Sequence, residues 1–156
     1  MRALLAVIVP VFLAACGPSA PKGSDAPTAP RAAGPSNEEM QARIAALPAP
    51  YNEASYEAGR RVFAQCRSCH TTDEGAGNRV GPNLHGVFGR EIGSVEGFNY
   101  SQAVQDADFV WDGERLDHWL QNPQTFLPGN RMAFAGVRDE AQRRDVIAYL
   151  MAETAD

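Results

Sequence analysis

Cys66-Arg67-Ser68-Cys69-His70 is the stretch of sequence that decides the fold of this chain. Its spacing, C-x-x-C-H, is the attachment site of a c-type haem. Two thiols separated by two residues can each bond one vinyl group on the same edge of a porphyrin, and the histidine that follows is then placed to ligate the iron. The pentapeptide therefore predicts one covalent haem, held by Cys66 and Cys69, with His70 as one axial ligand of the iron.

Two other kinds of site use a C-x-x-C pair, a redox dithiol and half of a zinc site. A redox dithiol does not need the adjacent histidine and usually stands in a βαβ unit, which this sequence does not show. A zinc site would need two further Cys or His ligands at short spacing, and only His85 and His118 remain, which are not so spaced. The third cysteine, Cys16, stands apart in the N-terminal segment. Haem attachment is therefore the favoured interpretation.

The charge of the chain limits its partners. The 156 residues carry a formal net charge of −5, and residues 52–156 contain ten arginines against sixteen acidic residues. Lys22 is the only lysine. An acidic domain argues against nucleic acid as a partner, and the simplest role of the charge is solubility. The length fits one domain with additional segments.

Residues 1–15 have the pattern of a secretory signal peptide. Arg2 precedes an apolar stretch over residues 3–13, which is shorter than the roughly 20 residues that a membrane-spanning helix needs. The stretch ends in Leu13-Ala14-Ala15-Cys16, which resembles a bacterial lipobox, where the signal is cut before the cysteine and the cysteine is lipidated. An ordinary cleavage site and an uncleaved anchor are the alternatives. The sequence favours a lipoprotein anchored through Cys16 on the periplasmic side of a bacterial membrane.

Residues 16–50 are predicted to be a lipidated cysteine followed by a Pro/Ala-rich disordered linker. Residues 17–36 hold almost no large apolar residue, so they cannot bury enough surface to offset the entropy of ordering. Residues 37–47 can form an amphipathic helix with Met40, Ile44 and Leu47 on one face, or only a transient helix inside the linker. Such a tether would hold the following domain, residues 51–156, close to membrane-bound partners.

The pattern of residues 51–156 predicts an all-α domain with long loops. Asn52 is a plausible N-cap for the first helix, and Pro123 and Pro128 end the third helix and favour a loop over residues 122–136. Loops this long are unusual in a compact domain, but a large flat apolar cofactor gives their side chains a surface to pack on. The predicted helices cover residues 53–65, 101–107, 112–121 and 139–152, and Gly59 in the first of them would permit close approach by another helix.

Over residues 56–151 the chain resembles class I cytochrome c, close to the mitochondrial type and to its bacterial membrane-anchored relatives. The resemblance implies the cytochrome c fold, with helices and long loops wrapped around one haem, and a one-electron carrier and not an enzyme. The motifs that carry it, in chain order, are Gly59 with Phe63, Gly81-Pro82-Asn83-Leu84-His85-Gly86, Phe88-Gly89-Arg90, Gly97-Phe98-Asn99-Tyr100-Ser101, Trp111, Asn122-Pro123, Pro128-Gly129-Asn130-Arg131-Met132-Ala133-Phe134-Ala135-Gly136 and Ile147-Ala148-Tyr149-Leu150.

The resemblance implies Met132 as the second iron ligand, in a loop bounded by proline and glycine. A thioether is a soft, neutral ligand, and His/Met ligation raises the potential of the haem. The resemblance also implies a hydrogen bond from Nδ1–H of His70 to the carbonyl of Pro82, which would fix the tautomer of the ligand. A lone methionine is more often a core residue, and here the haem motif and the resemblance outweigh that reading.

The remaining haem contacts are also implied by the resemblance. Side-chain donors would bond a buried propionate, because a buried carboxylate without donors takes up a proton. Other residues would flank the macrocycle or its exposed edge. The propionate-binding region comprises Arg90, Tyr100, Ser101 and Trp111, the second-ligand loop adds Asn130, and Trp119 and Phe134 complete the cofactor-binding set.

Two departures from the family pattern stand out. The family usually has tyrosine where Trp119 stands, with its hydroxyl near the methionine sulfur, whereas an indole N–H can donate a hydrogen bond but cannot accept one. The lysine ring around the haem edge of the family is largely absent. Arg79, Arg131 and Arg138 keep part of it, and Gln124 replaces one of its positions.

The partners implied by the resemblance are membrane redox complexes. They are a bc1-type quinol–cytochrome c reductase and a terminal cytochrome c oxidase or another reductase, contacted by a monomer through small, transient interfaces. Two alternatives remain for the function. A haem peroxidase would need an open distal site with acid–base groups, and a gas-binding sensor would need a labile sixth ligand.

Overall fold

The computed structural model describes residues 34–154. The predicted signal peptide, Cys16 and the linker as far as residue 33 lie outside the described residues. Within residues 34–154, none of the helices is long and apolar enough to cross a membrane. The helices are α1 (Asn37–Ala45), α2 (Tyr56–Phe63), α3 (Gln102–Gln105), α4 (Gly113–Gln121), α5 (Pro123–Phe126) and α6 (Glu140–Thr154), with a 3₁₀ turn at Tyr51–Glu53.

The predicted all-α class is confirmed. In the part of the chain that the structure describes, β-structure is limited to one antiparallel bridge between Glu91 and Val110. The segments between α2 and α3 and between α5 and α6 are long loops. Loops therefore supply most of the chain around the C-x-x-C-H segment, as the glycine- and proline-rich sequence predicts.

Helices α2 and α6 form the centre of the core. Gly59 of α2 lies against α6 so closely that a Cβ atom there would overlap the carbonyl of Asp145 and the Cβ of Tyr149. The ring of Tyr149 packs against Tyr56 and Phe63, with centroid distances of 5.3 and 5.1 Å. The close helix contact predicted from Gly59 is thus confirmed, because only glycine leaves room for it.

Helix α2 begins later than predicted. Its N-cap is Ser55, whose Oγ accepts a hydrogen bond from the backbone N–H of Ala58 at 3.2 Å. The backbone N–H of Ser55 donates to Asp145 of α6 at 2.9 Å. Asn52, the predicted cap, lies in the 3₁₀ turn instead. Serine and asparagine are similarly good caps, so the contact with α6 settles which of them begins the helix.

Helix α1 is part of the folded core. A capping box starts it: Oγ of Ser36 accepts from the N–H of Glu39 at 3.2 Å, and the N–H of Ser36 donates to the Glu39 carboxylate at 2.6 Å. Met40 is 2% exposed and Ile44 is fully buried. Of the two predicted alternatives for residues 37–47, the amphipathic helix is therefore the one that the structure contains.

Polar contacts also attach α1 to its neighbours. The Gln41 amide donates to the carbonyl of Ala54 at 3.0 Å and accepts from the N–H of Tyr56 at 2.8 Å. Arg43 donates to the carbonyl of Ala152 at 3.3 Å. The folded unit thus includes α1, so the expected linker up to residue 50 and domain start at residue 51 need correction. The reason is tertiary, since the apolar face of α1 is stabilised by its contact with α6.

The loop predicted over residues 122–136 begins with a short helix. Pro123 is the first residue of α5, and Oδ1 of Asn122 accepts from the N–H of Thr125 at 3.1 Å as its N-cap. Proline is tolerated at this position because its missing N–H would have no helical partner. Asp112 caps α4, in agreement with the helix predicted over residues 112–121.

Candidate haem-binding site

The C-x-x-C-H segment forms a turn directly after α2. The N–H of Cys66 donates to the carbonyl of Phe63 at 2.8 Å, and the N–H groups of Cys69 and His70 donate to the carbonyl of Cys66 at 3.0 and 2.9 Å. Both cysteines are partly buried and neither forms a disulfide. Burial, with a smaller contribution from Cys69, raises the pKa of the Cys66 thiol to about 11. One short turn therefore presents two free thiols and one imidazole.

The ring of His70 is held in a defined protonation state. Its Nδ1 lies 2.7 Å from the carbonyl oxygen of Pro82. A carbonyl only accepts, so Nδ1 carries the proton and donates it. Burial lowers the pKa of His70, although the hydrogen bond to Pro82 opposes that shift. The imidazole is therefore neutral, and its Nε2 lone pair can bind a metal.

Gly81 makes the contact between His70 and Pro82 possible. A Cβ atom at Gly81 would overlap the His70 ring. The N–H of Gly81 donates to the carbonyl of Cys69 at 2.8 Å, which ties the Pro82 loop to the C-x-x-C-H turn. In the sequence Gly81 is visible only as part of a Gly-Pro motif, and its contact with the ring depends on the tertiary fold.

The loop that contains Met132 is organised by Asn130, which is 7% exposed. The side-chain amide of Asn130 donates to the carbonyls of Pro123 and Leu127, both at 2.8 Å. Its Oδ1 accepts from the N–H of Met132 at 2.9 Å. Asn130 therefore fixes the backbone of Met132 to helix α5. The sequence selects Asn130 as a cofactor contact, and in the described residues its polar atoms hold the loop.

The far end of the same loop is fixed to α4 and α6. The N–H of Val137 donates to the carbonyl of Leu120 at 2.7 Å. Arg143 of α6 is 4% exposed, and it donates to the carbonyls of Val137 and Arg138 at 3.1 and 2.8 Å. Its Nε forms an ion pair with Asp117 of α4 at 2.7 Å. The sequence does not reveal this network, because Arg143 and Asp117 lie far apart in the chain.

The two tryptophans belong to one aromatic cluster. Trp111 meets Trp119 edge to face with a centroid distance of 5.5 Å, and Phe126 of α5 lies 6.0 Å from Trp119. Phe109 packs edge-on against Trp111 at 4.9 Å. Trp119 therefore lies in an aromatic environment, on the helix that leads into the Met132 loop.

Arg90 and Tyr100 lie near each other and both are half-buried. The Arg90 guanidinium donates to the carbonyls of His85 and Asn83 at 2.8 and 2.9 Å. Burial lowers the pKa of Arg90, partly offset by Tyr100. Burial also raises the pKa of Tyr100, opposed by a hydrogen bond with the backbone of Val95 and by the charge of Arg90. Arg90 and Tyr100 therefore form a pair of hydrogen-bond donors in a partly buried environment.

The other two predicted cofactor contacts are Ser101 and Phe134, which lie on separate segments of the chain. Oγ of Ser101 accepts from the N–H of Val104 at 3.4 Å, as the N-cap of α3. Phe134 is partly buried and packs against the core, between the exposed residues Ala133 and Ala135. Ser101 thus has a structural role in the described fold, while Phe134 is a partly exposed residue of the Met132 loop.

The residues present fit a covalent haem. Two free thiols, an imidazole with its Nε2 lone pair available and a glycine that leaves space beside the ring are the features such a group needs. Among residues 34–154, no group of three or more His, Cys, Asp and Glu side chains is arranged to hold a metal ion. The fold and the site together define a helical protein with one haem-binding C-x-x-C-H motif.

The chain belongs to the cytochrome c family, since the family model for cytochrome c matches residues 56–153. It carries one covalent haem c through Cys66 and Cys69, and it is a haem-based electron carrier and not an enzyme. The match begins at the first residue of α2, so α1 precedes it.

Relatives from a yeast and from bacteria support the assignment. The chain is similar to cytochrome c of Kluyveromyces lactis, with 40% identity over 67% of this chain and 96% of that protein. It is 42% identical to cytochrome c2 of Blastochloris viridis over 72% of this chain and 89% of that protein. It is 45% identical to cytochrome c-550 of Ancylobacter novellus over 63% of this chain and 94% of that protein.

Proposed function

We propose that His70 and Met132 are the two axial ligands of the haem iron, and that both stay bound while the protein carries one electron. When bound, the haem supplies the one-electron Fe(III)/Fe(II) couple. The observation that carries the proposal is the 2.7 Å contact between Nδ1 of His70 and the carbonyl of Pro82. It supports a neutral imidazole whose Nε2 is free for iron and whose ring cannot rotate freely.

The surroundings of Met132 support its role as a ligand. Among the described residues, the deeply buried Met40, at 2% exposure, and the partly buried Met151 both belong to or pack against the hydrophobic core cluster, whereas Met132 does not. Met132 is only partly buried, yet its N–H is fixed by the buried Asn130. A fixed backbone with a partly exposed thioether is more consistent with a ligand than with a residue that fills a gap.

The half-buried pair Arg90 and Tyr100, with Trp111, would hold one haem propionate. The backbone N–H of Trp111 donates to the carbonyl of Arg90 at 2.9 Å, so the side chains of Arg90 and Trp111 project from neighbouring backbone segments. Burial lowers the pKa of the Arg90 guanidinium. An adjacent carboxylate would stabilise the charged guanidinium, and the guanidinium would give that carboxylate a cationic hydrogen-bond donor. Ser101, Asn130, Trp119 and Phe134 would complete the surroundings of the haem.

Replacement of Met132 tests the ligand assignment. In the oxidised holoprotein, Met132→Ala should remove the methionine–iron charge-transfer band, lower the reduction potential and allow CO to bind the reduced iron at neutral pH. Met151→Ala is the matched control, because Met151 is another partly buried methionine, on α6. An unchanged spectrum in Met132→Ala would refute the assignment of Met132 as a ligand.

The proposed carrier is attached to a periplasmic membrane surface through a lipid on Cys16. This residue lies outside the described residues, and the support is the lipobox-like sequence before it. Because α1 begins at Asn37, about 20 residues separate the anchor from the folded unit. A disordered linker of that length, which the composition of residues 17–36 predicts, would have a root-mean-square span of roughly 25 Å and would keep the domain close to the membrane surface.

Membrane fractionation tests the anchor. Cys16→Ser should move the haem protein from the membrane to the soluble fraction, and mass spectrometry should show acyl chains on Cys16 in the parent only. Ser19→Ala, three residues away, is the control and should remain with the membrane. A parent protein in which Cys16 carries no acyl chains would refute lipidation.

The proposed partners are a bc1-type quinol–cytochrome c reductase and a terminal cytochrome c oxidase or another reductase. Arg79, Arg131 and Arg138 are exposed, so they are available to an acidic patch on such a complex. Interactions between exposed charges weaken with salt. The rate of reduction by a bc1-type complex should fall with ionic strength, and more steeply in the parent than in Arg79→Gln. Arg61→Gln on α2 is the control, and equal slopes in all three proteins would exclude Arg79 from docking.

A further inference from the structure

Gln124 on α5 makes a set of hydrogen bonds that the family pattern does not account for. Its Nε2 lies 3.2 Å from the carbonyl of Met132, 3.2 Å from Oδ1 of Asn130 and 3.4 Å from the carbonyl of Asn130. All three neighbours can only accept, so the atom facing them is the amide nitrogen with its two hydrogens. In the sequence this position is merely one where a lysine of the family is replaced.

These bonds complete the restraint on the backbone of Met132. Asn130 holds the N–H of Met132 on one side. On the other side the carbonyl of Met132 accepts from the Gln124 amide at 3.2 Å and from the N–H of Phe134, in its own loop, at 3.0 Å. Asn130 is itself fixed to α5 through Pro123 and Leu127. Both peptide groups of Met132 are thereby tied to the same short helix, and Gln124 is the part of this restraint that lies at the protein surface.

We propose that Gln124 is a positioning residue for Met132, which keeps the loop closed so that the thioether stays on the iron. This inference rests on the proposed His70/Met132 ligation. Gln124 touches neither the haem nor the iron in this account, and it acts through the backbone of Met132. Loss of its hydrogen bonds should increase the open fraction of the loop by roughly threefold to tenfold, in keeping with the loss of one or two ordinary hydrogen bonds.

Imidazole binding to the ferric holoprotein measures the open fraction. Imidazole can bind the iron only after Met132 leaves, so its apparent Kd is the intrinsic Kd divided by the open fraction. Gln124→Ala should therefore lower the apparent Kd roughly threefold to tenfold. Gln124→Glu has nearly the same shape but places a carboxylate against three acceptors, so it should lower the apparent Kd at least as much.

Gln105→Ala is the matched control. The Gln105 amide also donates to a backbone carbonyl, that of Tyr100 at 2.9 Å, and it lies outside the Met132 loop. Its apparent Kd should stay within about twofold of the parent, a change below the loss of one ordinary hydrogen bond. Hydrogen exchange gives a second readout: the amide of Met132 should exchange faster in both Gln124 variants and at the parental rate in Gln105→Ala.

The outcomes separate this inference from the proposed function. A parent that lacks the methionine–iron charge-transfer band refutes the ligation and, with it, the role of Gln124. A parent with that band, together with Gln124 variants whose imidazole affinity is unchanged, refutes the role of Gln124 alone. An equal gain of affinity in Gln105→Ala would show a general loosening of the protein and would likewise overturn the inference.

Discussion

Replacement of Ile44 by alanine should lower the free energy of unfolding by about 3 kcal/mol. Ile44 belongs to α1, which precedes the part of the chain that matches the cytochrome c family, and its side chain is fully buried in the hydrophobic core. If α1 were only a transient helix of the linker, this substitution would have almost no effect. The stability of Ile44→Ala therefore tests whether α1 is part of the folded unit.

The magnitude follows from the burial of the side chain. Isoleucine to alanine removes three buried carbon atoms, each of which contributes about 0.8 kcal/mol through transfer from water. The cavity that remains raises the cost to about 3 kcal/mol, within the range of about 2–5 kcal/mol for such changes. The loss cannot exceed the free energy with which α1 packs on the core. A larger destabilisation would release α1 as a unit while the rest of the domain stays folded.

Guanidinium unfolding of the holoprotein, followed by far-ultraviolet circular dichroism, measures this change. Val80→Ala is the control, since it also shortens an aliphatic side chain but at a position that is 80% exposed. If the midpoint of unfolding falls while the dependence of the unfolding free energy on denaturant concentration stays the same, α1 still unfolds together with the domain. A difference below about 0.5 kcal/mol between Ile44→Ala and Val80→Ala, the usual spread of surface substitutions, would refute the inclusion of α1 in the core.

Three further predictions concern the site and the core. Gly81→Ala should reduce the yield of holoprotein with a normal axial ligand, because a Cβ atom overlaps the His70 ring; a parental yield and spectrum would show that the ring has space to move. Arg143→Met should lower the free energy of unfolding by about 3 kcal/mol, since it removes the partner of Asp117 and two carbonyl contacts; calorimetry checks this, and a loss below about 1 kcal/mol would contradict it. Burial raises the pKa of Tyr149 to about 12, so its contribution to stability is complete below the unfolded value near 10 and is lost as pH rises to about 12. Unfolding measured between pH 10 and 12 should therefore depend less on pH in Tyr149→Phe than in the parent, and equal slopes would be the contrary result.

The sequence predicted the parts of the fold that local rules control. Asp112 before an apolar helical pattern marked the start of α4, and Gly59 marked the close contact of α2 with α6, both of which the structure contains. The turn at α5 could have been found as well, because Asn122 followed by Pro123 is a good N-cap with proline in the first turn. Taken only as helix breakers, Pro123 and Pro128 predict a loop and miss this short helix.

The features that the sequence did not predict depend on tertiary contacts. Ser55 and Asn52 are both acceptable caps, and the choice between them is made by Asp145 of α6. The apolar face of α1 was visible, but a face of three residues does not reveal whether another helix covers it. Likewise, nothing local distinguishes Gln124 as a hydrogen-bond donor to the Met132 loop from an ordinary polar surface residue.

The central claim is that the protein carries one electron on a haem that keeps both axial ligands. An optical redox titration of the purified full-length holoprotein, with CO binding measured at each end, tests it most directly. We predict a single one-electron transition, in which the potential changes by about 59 mV for each tenfold change in the ratio of oxidised to reduced protein. The haem should be six-coordinate in both the oxidised and the reduced protein, and the reduced protein should not bind CO at neutral pH. A reduced form that is five-coordinate and binds CO readily would contradict the account.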